Sequence, residues 1–392
     1  MLRSLFSGIS GLRSHQTMLD VTGNNIANVN TTGFKSSQTQ FQDTLSQVVQ
    51  NAGGAQAGTG GTNPAQVGLG VRVAGITTNF TQGASQITGR STDMMIQGDG
   101  FFVVRKGAES YYTRAGSFDF DATGQMVLPG EGALVQGWAA VNGVVDTNGP
   151  LSDLRVPAGA IMPAVATTSA TYEGNLDADA AVGTVLERTV AVFDAIGNER
   201  ELALTFTKAA TGWSLSATDG TATAAPGPLT FAADGSLAAP TTLTVGGVTV
   251  DISALSGFAG LDTAKAKTQD GQAAGTLQSF ALGADGTITG SFSNGLKQTI
   301  GRLALGSFTN PSGLEKAGGS LFRTSVNSGD PQIGAAGTGS RGSLAGGSLE
   351  MSNVDLSAEF TSLIIAQRGF QANSRVITTS DEVLQELVNL KR

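Results

Sequence analysis

A seven-residue repeat of apolar positions dominates the carboxyl-terminal part of the chain. It runs between Val354 and Leu390 without a proline, and its members are Leu356, Leu363, Phe370, Ile377 and Leu384, with Phe360 and Val388 on the same side. This period keeps one face of a helix toward a partner along its whole length, as in a coiled coil. The companion positions four residues further on are polar: Gln367, Ser374 and Asp381. The pattern therefore predicts one long helix that belongs to a larger bundle.

The amino-terminal part carries the same repeat. Its apolar positions are Leu5, Leu12, Leu19 and Ile26, with Ile9 between the first two. We predict a helix over residues 1–29, because the following Asn and Thr residues up to Gly33 favour a turn. The economical interpretation is that the two terminal helices pair with each other. The alternative is two unrelated amphipathic helices that pack on separate cores.

Strands and turns are predicted for the middle of the chain. Residues 34–49 fit either a second helix or an extended arm, and residues 51–66 fit a flexible linker or a loop ordered by its neighbours. Further on, Asp194, Asp234 and Asp285 each follow an apolar residue and begin a glycine-containing turn, which indicates hairpins. The same turns could hold calcium, but each has too few carboxylates for the usual calcium loop.

These patterns predict an α+β multidomain protein. Paired terminal helices resembling a coiled coil would flank two mainly-β domains, with the outer domain inserted in the inner one. The predicted parts are an amino-terminal assembly helix (1–33), a linker or arm (34–70), an inner β domain (71–165 with 268–345), an inserted outer β domain (166–267), and a carboxyl-terminal linker and assembly helix (346–392).

Composition narrows the function. The net charge of −8 argues against nucleic acid and against an anionic membrane surface as partners. The chain has no cysteine, which excludes a disulfide framework and thiolate metal sites. Its one histidine, His15, lies in the amino-terminal helix, so multi-histidine metal sites are excluded. No reactive constellation or nucleotide-binding loop emerges, and we expect no enzymatic activity, no cofactor and no metal.

Targeting signals are equally sparse. No stretch approaches the ~20 apolar residues of a membrane span, so membrane insertion is not expected. The first ten residues contain a basic residue but no apolar run or evident cleavage site, unlike a secretory signal peptide. The protein is therefore expected either to stay in the cytosol or to leave by a route that removes nothing.

Three motifs resemble those of the bacterial flagellar rod and hook proteins. The first is Gly-Asn-Asn-Ile-Ala-Asn-Val-Asn-Thr-Thr-Gly-Phe-Lys at residues 23–35, and the second is Gln-Gly-Asp-Gly-Phe-Phe-Val-Val at residues 97–104. The third covers residues 352–390 and is similar to the carboxyl end of the hook members. The matching signature residues are Gly23, Asn24, Asn25, Ala27, Asn28, Gly33, Phe34, Lys35, Gly98, Gly100, Phe101, Phe102, Gln367 and Arg368.

The resemblance implies a subunit that polymerises with copies of itself into a helical tube. The terminal helices would line the core of the tube, with the β domains outside. The family is exported through the flagellar type III route without cleavage. A hook member would form a curved, flexible universal joint in the hook and basal body. Its implied partners are the distal rod, the hook cap, the hook-filament junction proteins and the export apparatus.

Other interpretations make different demands on the sequence. A distal rod protein would share the signatures, but rod members are generally shorter and lack a large inserted domain, so the insertion at 166–267 favours a hook member. A free-standing adhesin would need a surface anchor, and an enzyme would need a polar constellation. The sequence provides neither.

Overall fold

The structure is a computed structural model that describes residues 2–54, 58, 60–156 and 159–389, with Leu2 described only in its backbone. The chain forms two compact units. The first unit comprises Met1–Pro157, Ala281–Thr289 and Thr299–Arg392, and the second comprises Ala158–Phe280 and Gly290–Gln298. The second unit therefore interrupts the first along the chain. Its bounds differ from the predicted 166–267, because the strands that precede and follow that range cluster with it.

The element order matches the predicted class, with helices at the two ends and strands between them. The helices are α1 (Leu2–Ala27), α2 (Leu356–Asn389) and a short 3-10 turn at Pro311–Gly313. The strands up to residue 157 are β1 (Ser37–Asp43), β2 (Ser46–Gln50), β3 (Ala65–Gly68), β4 (Val71–Thr78), β5 (Ser85–Ile87), β6 (Met94–Gln97), β7 (Phe101–Lys106), β8 (Glu109–Thr113), β9 (Asp119–Phe120), β10 (Met126–Leu128), β11 (Ala133–Val141), β12 (Val144–Val145) and β13 (Ser152–Asp153).

The remaining strands follow in chain order. They are β14 (Ile161–Met162), β15 (Ser169–Asn175), β16 (Val185–Phe193), β17 (Glu199–Ala209), β18 (Gly212–Thr218), β19 (Thr223–Phe231), β20 (Leu237–Ala239), β21 (Thr242–Val245), β22 (Val248–Ser256), β23 (Lys265–Gln269), β24 (Gly275–Leu282), β25 (Thr287–Phe292), β26 (Lys297–Ser307), β27 (Glu315–Gly318), β28 (Leu321–Arg323), β29 (Gln332–Ala335), β30 (Ser343–Gly346) and β31 (Ser348–Glu350).

Both helices keep close to their predicted bounds. The Asp355 carboxylate accepts a hydrogen bond from the Ser357 backbone N–H at 2.9 Å, so it caps the first turn of α2. At the end of α1, the Asn28 side chain donates to the Asn24 carbonyl at 2.9 Å and closes the last turn. The last predicted residue of α2, Leu390, lies outside the described residues.

The segment after α1 is an extended arm, so the alternative of a second helix over 34–49 is wrong. Strand β1 pairs with β4 in antiparallel register, with a bulge between Gln40 and Phe41. Strand β2 pairs with β3, and every residue of these two strands is exposed. Part of the predicted linker is also paired, because Gly53 and Thr62 exchange two backbone hydrogen bonds of 2.9 and 3.0 Å. Residues 55–57 and 59 of that linker lie outside the described residues.

The core of the first unit is built on a sheet with strand order β26-β11-β7-β8-β28-β27. Strand β7 is buried on both faces at its start, because successive side chains alternate between them. Phe101 packs with Phe308 and Phe322, with ring centroids 5.7 and 6.0 Å apart. Phe102 instead packs edge-to-face on Phe118, at 5.1 Å. The two adjacent phenylalanines therefore hold two separate layers onto one strand.

The stretch 334–347 is rich in Gly, Ser and Ala, a composition typical of a flexible linker, but it does not form one. Its residues form strand β30, which pairs with β6 from Ser343 opposite Gln97 to Gly346 opposite Met94. Strand β31 follows and pairs with β5. Leu344 is buried, so small residues on either side allow a close strand rather than a loose tether. The carboxyl-terminal helix thus begins directly from a paired β segment.

The second unit contains two sheets around one core. Their strand orders are β21-β22-β15-β23 and β16-β17-β18-β19-β20. Its largest buried side chains come from both sheets, with Tyr172 on β15, Leu204 and Phe206 on β17, and Trp213 on β18. Such shared burial is typical of a β-sandwich. Val165 and Gln272 exchange two backbone hydrogen bonds of 3.0 and 2.9 Å, which brings these chain positions together.

The three aspartate turns stabilise themselves by local hydrogen bonds. Asp194, Asp234 and Asp285 each accept from a backbone N–H two residues further on, at 3.0, 3.0 and 3.1 Å. This is Asx-turn geometry, which explains the residue choice without an ion. Within the described ranges, the structure contains no group of three or more His, Asp or Glu side chains arranged to hold a metal ion.

Asp270 makes the stability of the second unit depend on pH. Its carboxylate accepts hydrogen bonds from the backbone N–H groups and the hydroxyls of Thr168 and Ser169, at 2.6 to 3.1 Å. Desolvation opposes ionisation, but these four bonds outweigh it and lower the pKa of Asp270 to about 2. The stabilisation is therefore complete above the unfolded-state pKa of about 3.9 and is lost as the pH falls toward 2.

We therefore expect Asp270→Ala to lower the free energy of unfolding of the second unit by about 1 kcal/mol at pH 7, a modest value because the side chain is exposed. The difference from wild type should shrink between pH 4 and pH 2. Thermal unfolding followed by Trp213 fluorescence in a Trp138→Phe background measures it, with the exposed Asp179→Ala as the control. A difference that is constant with pH would contradict the assignment.

Candidate functional site

Helices α1 and α2 pair in antiparallel orientation. A Cβ placed on Gly8 would lie 3.3 Å from Ile377, and one placed on Gly11 would lie 2.7 Å from Asn373. One placed on Gly369 would lie 2.5 Å from the His15 ring. The partner numbers on α2 fall as those on α1 rise, so the two terminal helices run in opposite directions. The backbones approach closely because these three positions lack side chains.

The contact face between the two helices, called the seam below, has a different residue spacing on α2 from the predicted one. The apolar series Leu363, Phe370, Ile377 and Leu384 is half-buried, but its companions lie three residues further on rather than four. Ala366 is fully buried and Asn373 half-buried. Of the predicted companions, Gln367 and Asp381 are exposed, whereas Ser374 is half-buried. A left-handed pairing uses alternate spacings of three and four, and small residues at the inner positions decide which order applies here.

On α1 the buried positions are small or polar residues. They are Gly8, Gly11, Ser14, Thr22 and Asn25, whereas the predicted Leu5, Ile9, Leu12, Leu19 and Ile26 are half-buried. Apolar periodicity does not identify these positions, because glycine and serine do not count as apolar. The available signal was two glycines three residues apart in a helix. Glycine costs about 1 kcal/mol relative to alanine there, and close packing is a frequent reason for it.

Several predicted seam residues remain exposed in the single chain. Leu356, Phe360 and Val388 are 39%, 52% and 70% exposed, and Phe6 on α1 is 64% exposed. The sequence reasoning placed Leu356, Phe360 and Val388 in the seam because they share its period. Helix α1 covers only one stripe of α2, so these side chains fall on its flanks.

The close packing of α2 against Gly11 of α1 can be tested directly. We expect Gly11→Leu to destabilise the helix pair by about 1–3 kcal/mol, because the added side chain would overlap Asn373. Gly23→Ala is the matched control in the same helix. A Cβ at Gly23 meets no atom within 4 Å, so the control should gain helix propensity. Circular dichroism of thermal unfolding measures both. Equal stability of the two variants would refute the close-packed seam.

Asn25 joins three elements at the base of the helix pair. Its side-chain amide donates to the Ser37 carbonyl at the start of β1 and to the Glu359 carboxylate on α2, both at 2.8 Å. Its side-chain oxygen accepts from the Ser37 backbone N–H at 3.0 Å. The signature asparagine is 1% exposed and uses both ends of its amide. It thereby fixes the exit of the chain from α1 relative to α2.

Position 33 accepts only glycine. Its φ is +68°, and its N–H donates to the Glu350 carbonyl at 2.8 Å. A Cβ at this position would lie 2.4 Å from the Ala115 backbone nitrogen. The left-handed conformation and the close approach together exclude any side chain. This glycine places the amino-terminal segment directly against the strand that leads into α2.

A buried ion cluster lies beside Gly33. Lys35 Nζ is 2.6 Å from Glu350 Oε1, and Arg114 Nη1 is 3.4 Å from Glu350 Oε2. Lys35 also donates to the Thr81 carbonyl at 2.7 Å, and Glu350 accepts from the Gly83 backbone N–H at 2.9 Å. The cluster joins four stretches of chain that are far apart in sequence. The first sequence motif contains Lys35, but no motif singles out Arg114 or Glu350 as charged residues of this cluster.

Burial dominates the electrostatics of this cluster. Desolvation lowers the pKa of Lys35, and the Glu350 carboxylate opposes this shift. Desolvation likewise lowers the pKa of Arg114 against the pull of Glu350. Two cations thus share one carboxylate away from water. Such a cluster depends on every member, because loss of the anion would leave two buried positive charges.

The signature residue Phe34, next to Lys35, connects this region to strand β27. Lys316 Nζ lies 5.0 Å from the centre of the Phe34 ring, a cation-π distance, and donates to Ser37 Oγ at 2.8 Å. Burial lowers the pKa of Lys316. The side chain of Phe34 is therefore held against strand β27, where Lys316 lies.

The second motif, residues 97–104, contacts the ion cluster through the ring of Phe101. Gly98 and Gly100 have φ values of +101° and +124°, which shape the turn between β6 and β7. Phe101, directly after that turn, has the Arg114 guanidinium 5.2 Å from its ring centre. Phe102 faces the other layer of the core. Arg114 thereby connects the turn motif to Lys35 and Glu350.

The structure does not bring every signature residue into this junction. Gly23, Asn24 and Ala27 are exposed at the end of α1, and Gln367 and Arg368 are exposed on α2. The hydrogen bonds and ion pairs around Asn25, Gly33 and Lys35 fix one end of the helix pair, and apolar side chains stay exposed on its flanks. Such flanks are suited to packing against other protein surfaces. Among the described helices, none combines the length and the apolar character needed to cross a membrane.

Protein-family models match three parts of the chain. They are the flagella basal body rod protein model at residues 5–35, the flagellar hook protein FlgE/F/G D1 domain at 95–176, and the flagellar basal body rod FlgEFG protein C-terminal model at 345–390. The first and last matches cover most of the helix pair, and the middle match covers strands of the β core. They define the class as an axial protein of the flagellar rod and hook.

Relatives that match this chain over their whole length identify the family within this class. The chain is 39% identical to the flagellar hook protein FlgE of Borreliella burgdorferi and 38% identical to that of Treponema pallidum, with 100% of both chains covered in each comparison. It is 34% identical to the flagellar basal-body rod protein FlgG of Bacillus subtilis, again over 100% of both chains. The chain belongs to the flagellar hook protein family, whose members are structural proteins.

A solved structure shares the fold. The crystal structure of Helicobacter pylori flagellar hook protein FlgE2 superposes with a TM-score of 0.50 at 16% identity, covering 66% of this chain and 98% of that chain. The fold class predicted from the sequence, with terminal helices around a mostly-β middle, is therefore confirmed.

Proposed function

We propose that this chain is the structural subunit of a bacterial flagellar hook. It polymerises with copies of itself into a curved, flexible helical tube, which transmits torque as a universal joint. The terminal helices make the core contacts of the tube, and the chain does no catalysis. The observation that carries this proposal is the exposed apolar surface on the flanks of the α1–α2 pair.

Helix α2 exposes a regular row of apolar side chains, which is unusual for a helix pair that stays free in solution. Leu356, Phe360 and Ile364 follow one another every four residues and lie on one flank. They are 39%, 52% and 50% exposed. Soluble monomers rarely leave contiguous apolar patches in water. In a helical polymer, the same flank meets the same neighbour in every subunit, so a modest contact is repeated along the tube.

The wider setting follows from the family resemblance. We infer that the subunit leaves the cell through the flagellar type III route without cleavage and assembles outside it. Distal rod, hook cap and hook-filament junction proteins would be its neighbours. The two β units would lie outside the core and change their contacts as the tube turns. Only 14% of all residues are charged, so few exposed ion pairs would fix one register.

A distal rod subunit is the second candidate, supported by the similarity to a rod protein. The two functions differ in the mechanics of the polymer. We expect the purified chain to assemble into tubes that are curved and bend readily in electron micrographs. Straight, stiff tubes would favour the rod, and no tubes under any assembly condition would refute both functions.

The second unit is proposed to modify mechanics rather than to hold the polymer together. Residues 166–271 carry both sheets of this unit and are the segment to remove, because Val165 and Gln272 already exchange two backbone hydrogen bonds. Joined by a two-residue turn, the variant should still form tubes, with a smaller diameter and altered bending. Electron microscopy measures both properties. A variant whose first unit unfolds normally but which forms no tubes would show that the second unit is needed for assembly.

A further inference from the structure

A groove on α1 and the arm has a mixed apolar and basic character. It measures about 400 Å³ and lies between α1 and β4. The lining includes Phe6, Ile9 and Val71 as apolar side chains, with Arg13 and Arg72 among the polar ones. Both arginines are exposed. The groove therefore offers an apolar surface flanked by two positive charges.

These two arginines lack an acidic partner within the structure as described. Neither appears in an ion pair within 4.0 Å, and the side-chain partner of Arg72 is the neutral Gln42 at 3.1 Å. Two unpaired cations beside apolar side chains fit an amphipathic segment that carries negative charge.

The far end of α2 has this complementary character. Val383 and Leu387 lie one turn apart and are 42% and 47% exposed. Glu382 and Glu386 directly precede them and are also exposed, so an acidic stripe runs beside an apolar one. Within the described residues, neither glutamate has an ion-pair partner. Glu386 also lies in the last turn of α2, where negative charge opposes the helix dipole.

We infer that the far end of α2 of one copy docks in this groove of a second copy. Val383 and Leu387 pack on the apolar lining, and Glu382 and Glu386 face the two arginines. The docking must be between copies, because both surfaces remain uncovered within the single chain. The inference rests on the proposed function, since it names a contact within the polymer.

The arm of a second copy is the competing occupant. Its strands β2 and β3 expose Val48, Val49 and Val67 but carry no acidic residue. The one acidic residue of the arm, Asp43 on β1, offers a single negative charge for two arginines. Charge complementarity therefore selects the far end of α2.

Cross-linking tests the contact directly, because the natural chain has no cysteine. Phe6→Cys and Thr17→Cys place a thiol at either end of the groove, and each is mixed with mass-tagged Leu387→Cys protein before assembly and oxidation. We expect disulfide-linked mixed dimers in the polymer and none in the unassembled protein. Mixed dimers with Val49→Cys in place of Leu387→Cys would assign the groove to the arm and overturn the inference.

Charge reversal tests the ion pairs. We expect Arg13→Glu with Arg72→Glu to raise the critical concentration for assembly roughly tenfold, because two attractive pairs become repulsive. Glu382→Arg with Glu386→Arg should have a similar effect, and the four changes together should restore assembly. Arg90→Glu with Lys297→Glu is the control of equal charge on the β strands and loops. Among the described residues, the only ion pair it breaks is the exposed one between Arg90 and Asp119, at 3.7 Å, so it should assemble as wild type.

The outcomes separate this inference from the proposed function. If wild type forms tubes but the reversed variants assemble normally, the docking is overturned and the proposed function stands. If the reversed pairs each fail and the combined variant also fails, the specific pairing is overturned. If wild type forms no polymer, both the function and the docking are overturned.

Discussion

Replacing Glu350 with alanine should destabilise the first unit by about 3–5 kcal/mol, because Lys35 and Arg114 would then share a buried position without an anion. The Gly83 backbone N–H would also lose its acceptor. The bond between the Gly33 N–H and the Glu350 carbonyl uses the main chain and should survive the substitution. The effect would therefore report on the ion cluster rather than on the backbone junction.

The two tryptophans make this measurement specific to one unit. Trp138 lies in the first unit and Trp213 in the second, so denaturant unfolding in a Trp213→Phe background follows the first unit alone. Glu350→Gln preserves the size of the side chain and separates charge from packing. Glu315→Ala is the surface control: it breaks an exposed pair with Arg323 and should cost less than about 1 kcal/mol. A loss for Glu350→Ala no larger than that of the control would show that the cluster does not hold the junction.

The cluster shows what a single sequence leaves hidden. Lys35 was identified through its motif, but Glu350 lies 315 positions away and belongs to no motif that singles it out. Long-range pairing of charges depends on the path of the chain through the sheet, which local propensity and periodicity do not specify. The terminal helices are different, because each has a long repeat that constrains local structure and one buried face at once.

Even for the helices, the sequence predicted the elements better than their contacts. The apolar repeat predicted the half-buried series from Leu363 to Leu384, but two of its three companions are exposed, because the closely packed positions are Gly11, Ala366 and Gly369. Small residues contribute little to an apolar pattern, yet they control how closely two backbones approach. In the stretch 334–347, a similar abundance of small residues is compatible with paired strands, although its composition is that of a linker.

Phe370→Asp should abolish assembly while leaving both β units folded. Phe370 is half-buried in the series that includes Leu363 and Ile377, on the side of α2 that meets α1. By comparison with Phe→Ala substitutions in cores, the lost side chain removes about 3–5 kcal/mol per subunit. The aspartate adds a desolvation penalty in the seam. In a helical polymer the defect recurs in every subunit, so even part of this loss should prevent elongation.

Gln371→Asp is the matched control, since it adds the same charge at the next position, where the side chain is exposed. Assembly is assayed by sedimentation under the conditions in which wild type forms tubes. Unfolding followed by Trp138 and Trp213 should match wild type in both variants, because the seam is separate from the two β cores. Normal assembly of Phe370→Asp would mean that this side chain does not face a packed surface in the polymer, and the phase of the α1–α2 seam would then have to be assigned anew.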